Sequence, residues 1–242
     1  ASDVYKRQDR GRLRRPRRPV MRALLRGVDA YPALTNVVAE DLAAIAGTPD
    51  RTAALKWGPD PDWYPRRDGI GRGVIAAGVS ERDLETFALA VRQTQVPAWI
   101  VTNGPGPPPD AGPRARVITS GLRHLELTQL YAQARVVAIP LRVQWPWNLR
   151  GLTSITDALG MGKPVIVTRT PWLDIDVEAL GIGIWVQPGD VNGWRDAITY
   201  LDEHADVAQQ MGQRARALVD SGEYSSHTFA DQIMNVFERV LS

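Results

Sequence analysis

The chain has 242 residues, of which 44% are hydrophobic and 23% charged, with no cysteine and a formal net charge of +2. That balance fits a globular protein able to bury a sizeable core and excludes a mostly disordered chain. Disulfides, thiolate nucleophiles and cysteine metal sites are excluded, and no apolar run approaches the roughly 18 residues that a membrane span needs.

The charge is lopsided. Residues 1–27 hold ten Lys or Arg against two Asp, or +8, which leaves −6 on the other 215 residues. Arg10-Gly-Arg-Leu-Arg-Arg-Pro-Arg-Arg18 reads first as a solvated, disordered basic tail, with contact to nucleic acid or an anionic membrane face as the alternative, so nucleic acid is not an expected partner. Asp3-Val-Tyr-Lys-Arg-Gln8 is what one reading frame of a common sequencing-library transposon end encodes, so the start is expected to be partly adapter-derived and the natural protein to extend upstream. The lack of a signal-like segment makes the cytoplasm the expected compartment, with peripheral membrane contact compatible with it.

Structure is expected from about Pro19. Val28 to Asn36 leads into a helix over Val37–Ala46 that Gly47 ends, and Ala53–Trp57 is a short strand. Gly58-Pro-Asp-Pro-Asp-Trp-Tyr-Pro65 is too rich in turn formers to be anything but a linker, with a boundary near Arg66. Strands then alternate with helices: strand Val74–Ala77, helix Asp83–Arg92, strand Ala98–Thr102, a Gly/Pro loop over Gly104–Pro113, strand Arg116–Thr119 and helix Leu125–Ala134. Strand Val136–Pro140, helix Ser154–Met161, strand Val165–Thr168 and strand Ile184–Val186 follow. Three helical segments close the chain, over Val191–Glu203, Ala205–Asp220 and Ser226–Leu241. The last carries Phe229, Ile233, Val236, Phe237 and Val240 on one stripe and must dock against something. This alternation predicts an α/β fold with a parallel, Rossmann-like sheet covered by helices on both faces.

In open sheets of this kind ligands sit outside the carboxyl ends of the strands, so the residues to watch lie in the loops there. Gly151 to Thr168 compresses a polar loop, a short helix and a buried strand. Thr153 and Ser154 are expected to cap the helix, whose unpaired amides and dipole favour an anion. Gly162 ends it as a left-handed cap and Pro164 forbids continuation. Just past Gly78, the Arg82 guanidinium either forks onto phosphate oxygens or pairs with Asp83 or Glu85. Asp157 fits the S-x-x-[DE] capping box with Ser154, and a ligand role for its carboxylate stands beside that reading. His124 reads as a helix-start residue. No His or carboxylate grouping has metal-ligand spacing, so no protein-bound metal is expected, and the hydrolase elbow, the P-loop and the dinucleotide fingerprint are all missing.

Taken together, Gly78-x3-Arg82-Asp83, Leu125 to Leu141, Gly151 to Thr168 and Gly183-Ile-Trp-Val-Gln-Pro-Gly-Asp190 resemble the donor half of a GT-B glycosyltransferase of the family 4 type (glycosyl transferases group 1). The resemblance covers about Val28 to Leu241. It is most specific in Asp157-Ala-Leu-Gly-Met-Gly-Lys-Pro-Val-Ile, against the family's Glu-Ala-Met-Ala-x-Gly-x-Pro-Val-Ile.

The resemblance implies three regions: a basic tail over 1–18, a remnant of an N-terminal Rossmann-like domain over 19–66, and a nucleotide-sugar donor domain over 67–242. It implies transfer of a sugar, with retention, from a nucleotide-activated donor to an unidentified acceptor, with no cofactor beyond that substrate. Arg82 beside Gly78 would hold the diphosphate from one side and the amides around Gly151, Leu152, Thr153 and Ser154 from the other. Asp157 would bind ribose hydroxyls, and the loop of Leu122, Arg123, His124, Leu125 and Glu126 would lie along the base. The family's earlier Glu falls at Leu149, so its sugar contacts are either absent or supplied by Asn148 in a shifted loop, and donor identity does not carry over. Val79 stands where many relatives carry Arg. With the acceptor side on the missing domain, the chain alone would bind nucleotide without turning over. A nucleotide-sugar epimerase of the same fold and a non-catalytic nucleotide-sugar-binding protein are the alternatives.

Overall fold

A computed structural model describes residues 17–64, 71–103, 109–119, 121–143 and 150–242, without the side chains of Arg17 and Arg18. Two α/β units lie in sequence. The first holds helix α1 (Arg17–Leu25), strand β1 (Tyr31–Ala33), helix α2 (Asn36–Ala46) and strand β2 (Thr52–Ala54). β1 and β2 pair in parallel, so α2 is the crossover of a βαβ unit. Two expectations are corrected here. Arg17 and Arg18 belong to a helix rather than to a tail. The strand expected over Ala53–Trp57 is Thr52–Ala54, and the chain leaves regular structure before Pro59 and Pro61, which cannot donate to a ladder. The boundary near Arg66 falls outside the described residues, as do 1–16 of the tail.

The second unit contains β3 (Val74–Ala77), α3 (Leu84–Arg92), β4 (Ala98–Val101), β5 (Ala115–Ile118), α4 (His124–Gln133), β6 (Val136–Ile139), α5 (Leu152–Gly160), β7 (Val165–Thr168) and β8 (Gly183–Val186). Helices α6 (Val191–Glu203), α7 (Ala205–Asp220) and α8 (Ser226–Leu241) follow. Its six strands are all parallel in the order β5-β4-β3-β6-β7-β8. The chain winds outward from β3 in one direction, then returns to β6 and winds outward in the other. The topological switch point therefore lies between β3 and β6, the place at whose carboxyl ends open sheets of this kind bind ligands.

Alternation along the strands builds two cores. Ile75, Val137, Ile139, Val165 and Val167 face one side with Tyr131, Ile155, Leu159 and Trp172. Val74, Ala76, Ile100, Ala138 and Ile166 face the other, with Phe87, Trp194, Ile198 and Leu201. Phe87 and Trp194 meet edge to face at 5.5 Å, which locks α3 against α6. Burying side chains of this size stabilises by about 2 kcal/mol each before entropy is counted. Asp83, Asp190 and Ser225 cap α3, α6 and α8 by accepting from Thr86, Gly193 and Thr228 amides.

The C-terminal stripe does dock, in part. Val236 is buried, whereas Phe237 and Val240 remain exposed. α8 lies against the first unit: the Gln232 side chain accepts from the Lys56 amide at 3.1 Å and donates to the Lys56 carbonyl at 3.2 Å. The Lys56 ammonium reaches Glu223 at 2.9 Å, and Ser226 N–H donates to the Pro59 carbonyl.

Candidate functional site

The loops leaving β3 and β6 are stitched together across the switch point. Asp83 N–H donates to the Pro140 carbonyl at 3.1 Å, Arg142 N–H to the Glu81 carbonyl at 2.9 Å, and Arg82 and Leu141 form an antiparallel bridge. The turn is tight enough to hold Glu81 at φ +50, a left-handed conformation uncommon for a residue with a side chain. Ion pairs brace it: Glu81 with Arg150 at 3.3 Å and Glu85 with Arg142 at 3.5 Å.

Arg82 is thereby turned toward the first turn of α5. Neither proposed carboxylate partner takes it, because Asp83 caps α3 and Glu85 holds Arg142. Its Nε donates to the Ala77 carbonyl at 3.2 Å, Nη1 to the Ser80 carbonyl at 3.4 Å and Nη2 to Ser154 Oγ at 2.8 Å. Those bonds use three of five N–H donors and leave two without an acceptor among the described residues. Burial lowers the pKa of Arg82 and the neighbouring Tyr131 opposes that, but the group stays charged. A desolvated cation with spare donors and no carboxylate partner among the described residues is suited to meeting an anion.

The other wall is the first turn of α5. The expected cap at Thr153 or Ser154 is corrected: the helix opens at Gly151, in the left-handed region at φ +89, and Leu152 is already helical. Gly151 is required twice over, by that φ and because a Cβ there would fall 2.9 Å from Leu141 Cδ1. Ile155 N–H makes the first intrahelical bond, to the Gly151 carbonyl at 3.0 Å. The N–H groups of Leu152, Thr153 and Ser154 therefore lack intrahelical acceptors and lie at the positive end of the dipole. The Ser154 hydroxyl is occupied by Arg82 and by Tyr131, which is buried beneath it.

The capping box is corrected as well. Ser154 and Asp157 lie inside α5, and the Asp157 carboxylate does not return to a cap amide. Asp157 Oδ1 accepts from the Tyr64 hydroxyl at 2.5 Å, and the same phenol oxygen lies 3.3 Å from His124 Nε2. Burial pushes Asp157 above the usual carboxylate range, partly offset by the Tyr64 bond and the charge of His124. Burial, then the bond to Asp157, pushes the Tyr64 phenol up, so the proton of that bond stays on Tyr64.

His124 is the first residue of α4, as expected of a helix-start residue, and Trp63 lies 6.3 Å from its ring. Within the loop assigned to the base, Arg123 N–H donates to Glu126 Oε2 at 2.8 Å and its guanidinium meets Oε1 at 3.2 Å. The Arg123 amide holds Glu126 below the usual carboxylate range, so Glu126 is spent on capping. Leu125 is exposed and Leu122 packs against the core. Asn148 and Leu149 fall outside the described residues. Among the described residues no group of three or more His, Asp or Glu is placed to hold a metal ion, and no helix is long and apolar enough to cross a membrane.

Sequence reading missed Tyr64 and Tyr131. Its one available signal for Tyr64 was an aromatic pair, Trp63-Tyr64, in an otherwise polar linker, which has to find cover somewhere.

The sequence model described as Glycosyl transferases group 1 matches residues 80–204, which span the switch-point loops, α5 and the last strand. The chain belongs to this family. It is 27% identical over 223 residues to the D-rhamnosyltransferase WbpZ of Pseudomonas aeruginosa, covering 83% of this chain and 57% of that protein. Among solved structures it is similar to sucrose-phosphate synthase of Thermosynechococcus elongatus (TM-score 0.73, 18% identity, 98% of this chain and 65% of that one). It is also similar to Anabaena HepE in complex with UDP (TM-score 0.74, 16% identity, 94% of this chain and 69% of that one). The chain thus spans less than two thirds of WbpZ and of the synthase. At these identities the structural likeness establishes the fold, that of the GT-B glycosyltransferases.

Proposed function

We propose that this chain is the donor-binding part of a glycosyltransferase that takes a sugar from a nucleoside diphosphate and transfers it, with retention, to an acceptor. Residues 67–242 form the donor domain and residues 19–66 belong to a second Rossmann-like unit, a division supported by the separate β1-α2-β2 motif. The observation that carries the reading is the meeting of Arg82 with the first turn of α5 at the switch point. Two fixed sources of positive potential converge there on one small volume.

The chemistry follows from where charge develops. As the bond from sugar to diphosphate breaks, negative charge accumulates on the phosphate oxygens. The N–H groups of Leu152, Thr153 and Ser154 and the two spare donors of Arg82 would meet that charge from positions the fold already fixes, so little reorganisation would be required in the transition state. Asp157, on the Tyr64 side of α5, would accept from ribose hydroxyls. The loop of Leu122 to Glu126 would run along the base. The similar HepE is seen in complex with UDP, and WbpZ carries the name of a rhamnosyltransferase; both favour a nucleotide-sugar donor here.

Calorimetric titration of the chain with UDP and GDP, and with the matching monophosphates, tests this reading. A diphosphate that binds at least about tenfold more tightly than its monophosphate, with the difference lost in Arg82→Ala, is the expected result. Equal affinity for mono- and diphosphate, or an unchanged difference in the variant, would remove Arg82 from the role.

A further inference from the structure

We propose that Tyr64, in the segment between the two units, is a positioning residue of the nucleotide site: its hydroxyl fixes the Asp157 carboxylate in the orientation that receives the ribose. The inference rests on the reading of Asp157 as a ribose ligand and adds a residue that lies 93 positions away in sequence.

Tyr64 is held from three directions. Its ring lies on Gly160 so closely that a Cβ there would fall 2.7 Å from Cγ, and the residue is 6% exposed. Its carbonyl accepts from Arg216 Nη1, which also donates to the Gly160 carbonyl at 2.7 Å, while Nη2 reaches the Pro61 carbonyl at 3.3 Å. Backbone and ring are both seated against α5 and α7, so the phenol oxygen is delivered to a fixed point above Asp157.

A carboxylate at the end of an aspartate side chain turns about a broad, two-fold torsion, and one short bond is enough to fix its plane. The Tyr64 hydroxyl has a single proton, which it gives to Asp157 Oδ1. Its oxygen can then only accept from His124 Nε2, giving a chain of donors from His124 through Tyr64 to Asp157. Of about four lone-pair positions on the carboxylate the phenol uses one, so enough remain for two adjacent hydroxyls. The charged and titratable groups around this carboxylate are Tyr64 from the joining segment, His124 and Tyr131 from α4, and Arg82 through Ser154. Burial works against ionisation of Asp157, and the Tyr64 proton is the strongest contact holding the charge in place.

The test compares UDP with 2′,3′-dideoxy-UDP, and GDP with its dideoxy counterpart, by calorimetry on the full chain. The wild type is expected to favour the ribose form by about tenfold or more. Tyr64→Phe, which keeps the ring over Gly160, should lose about tenfold for the ribose form while its affinity for the dideoxy form stays within about twofold. Gly160→Ala pushes the same ring without touching hydroxyl or carboxylate and should reproduce the pattern, which serves if Tyr64→Phe does not fold. A wild-type preference retained in the folded variant, or equal loss for both forms, would overturn the positioning role and leave the ribose site standing. A wild type that binds the diphosphate without telling ribose from dideoxyribose would remove the Asp157 reading and this inference with it.

Discussion

The Arg82 guanidinium lies directly over Gly78: a Cβ at position 78 would fall 2.5 Å from Nε and 2.7 Å from Cζ, and Gly78 itself sits at φ +139. The small residue therefore serves the arginine first, giving it a floor on which to fold back toward Ser154. Gly78→Ala should cost about 1–3 kcal/mol of stability through the backbone conformation. It should also weaken diphosphate binding by about tenfold as the guanidinium is pushed off its seat. Thermal unfolding and calorimetry on the same preparation measure the two effects.

Arg82 itself should not be replaceable by lysine. The guanidinium bonds Ala77, Ser80 and Ser154 at once and still presents two donors, whereas an ammonium on a flexible stem can satisfy only part of that set. Arg82→Lys is expected to lose about tenfold in affinity for the diphosphate and Arg82→Ala about a hundredfold, with the monophosphate changed much less in each. Titrations at two salt concentrations check the assignment, since the wild-type advantage should survive moderate salt in a site this buried.

Much of the second unit was legible because its signals are local. The β-branched run at Val165-Ile-Val167 and the steady alternation of apolar strand segments with helical periodicity place strands and helices within a residue or two, although the capping roles of Asp83 and Asp190 were not read. The start of α5 was misplaced because hydroxyl residues at Thr153 and Ser154 look like a cap, while the actual cap is a glycine whose φ and packing against Leu141 come from the tertiary fold. Asp157 was ambiguous for a related reason. Its spacing from Ser154 is that of a capping box, and only the arrival of Tyr64 from the other end of the chain shows that the carboxylate faces elsewhere. The helix α1 was hidden by its own arginines, which read as a solvated run.

The pH dependence of stability should identify Asp157 as a residue kept for a purpose other than folding. Burial raises its folded-state pKa above the ordinary carboxylate value of 3.8, so the folded chain binds that proton more tightly than the unfolded chain does. The contribution to stability is greatest below pH 3.8 and is lost as pH rises through the folded-state pKa, because unfolding then releases a proton. Asp157→Asn keeps an oxygen for the Tyr64 hydroxyl and removes the buried charge. It should unfold at a higher temperature than wild type at about pH 7, with the gap closing toward about pH 4, while losing affinity for the ribose form of the nucleotide. A variant less stable than wild type near neutral pH would contradict the assignment.

Arg216 is the bolt between the joining segment and the donor unit. Its side chain is 15% exposed, and it serves the carbonyls of Tyr64, Gly160 and Pro61 while its Nε meets Asp220 at 2.8 Å. Removing it strands those carbonyls in a poorly solvated place, which costs more than the bonds themselves contribute. Arg216→Ala is therefore expected to lose about 2–4 kcal/mol by chemical denaturation. Asp220→Asn, which weakens the ion pair but leaves the three carbonyl contacts of Arg216 in place, should lose less than Arg216→Ala. The two losses differ in kind, since the arginine anchors the backbone of the joining segment to that of the donor unit. In Arg216→Ala the first unit should lose its hold before the second melts, so denaturation should separate into two transitions, resolved by comparing tryptophan fluorescence with circular dichroism. Because Tyr64 loses its seat at the same time, the preference for ribose over dideoxyribose should fall in Arg216→Ala even under conditions where the donor unit remains folded.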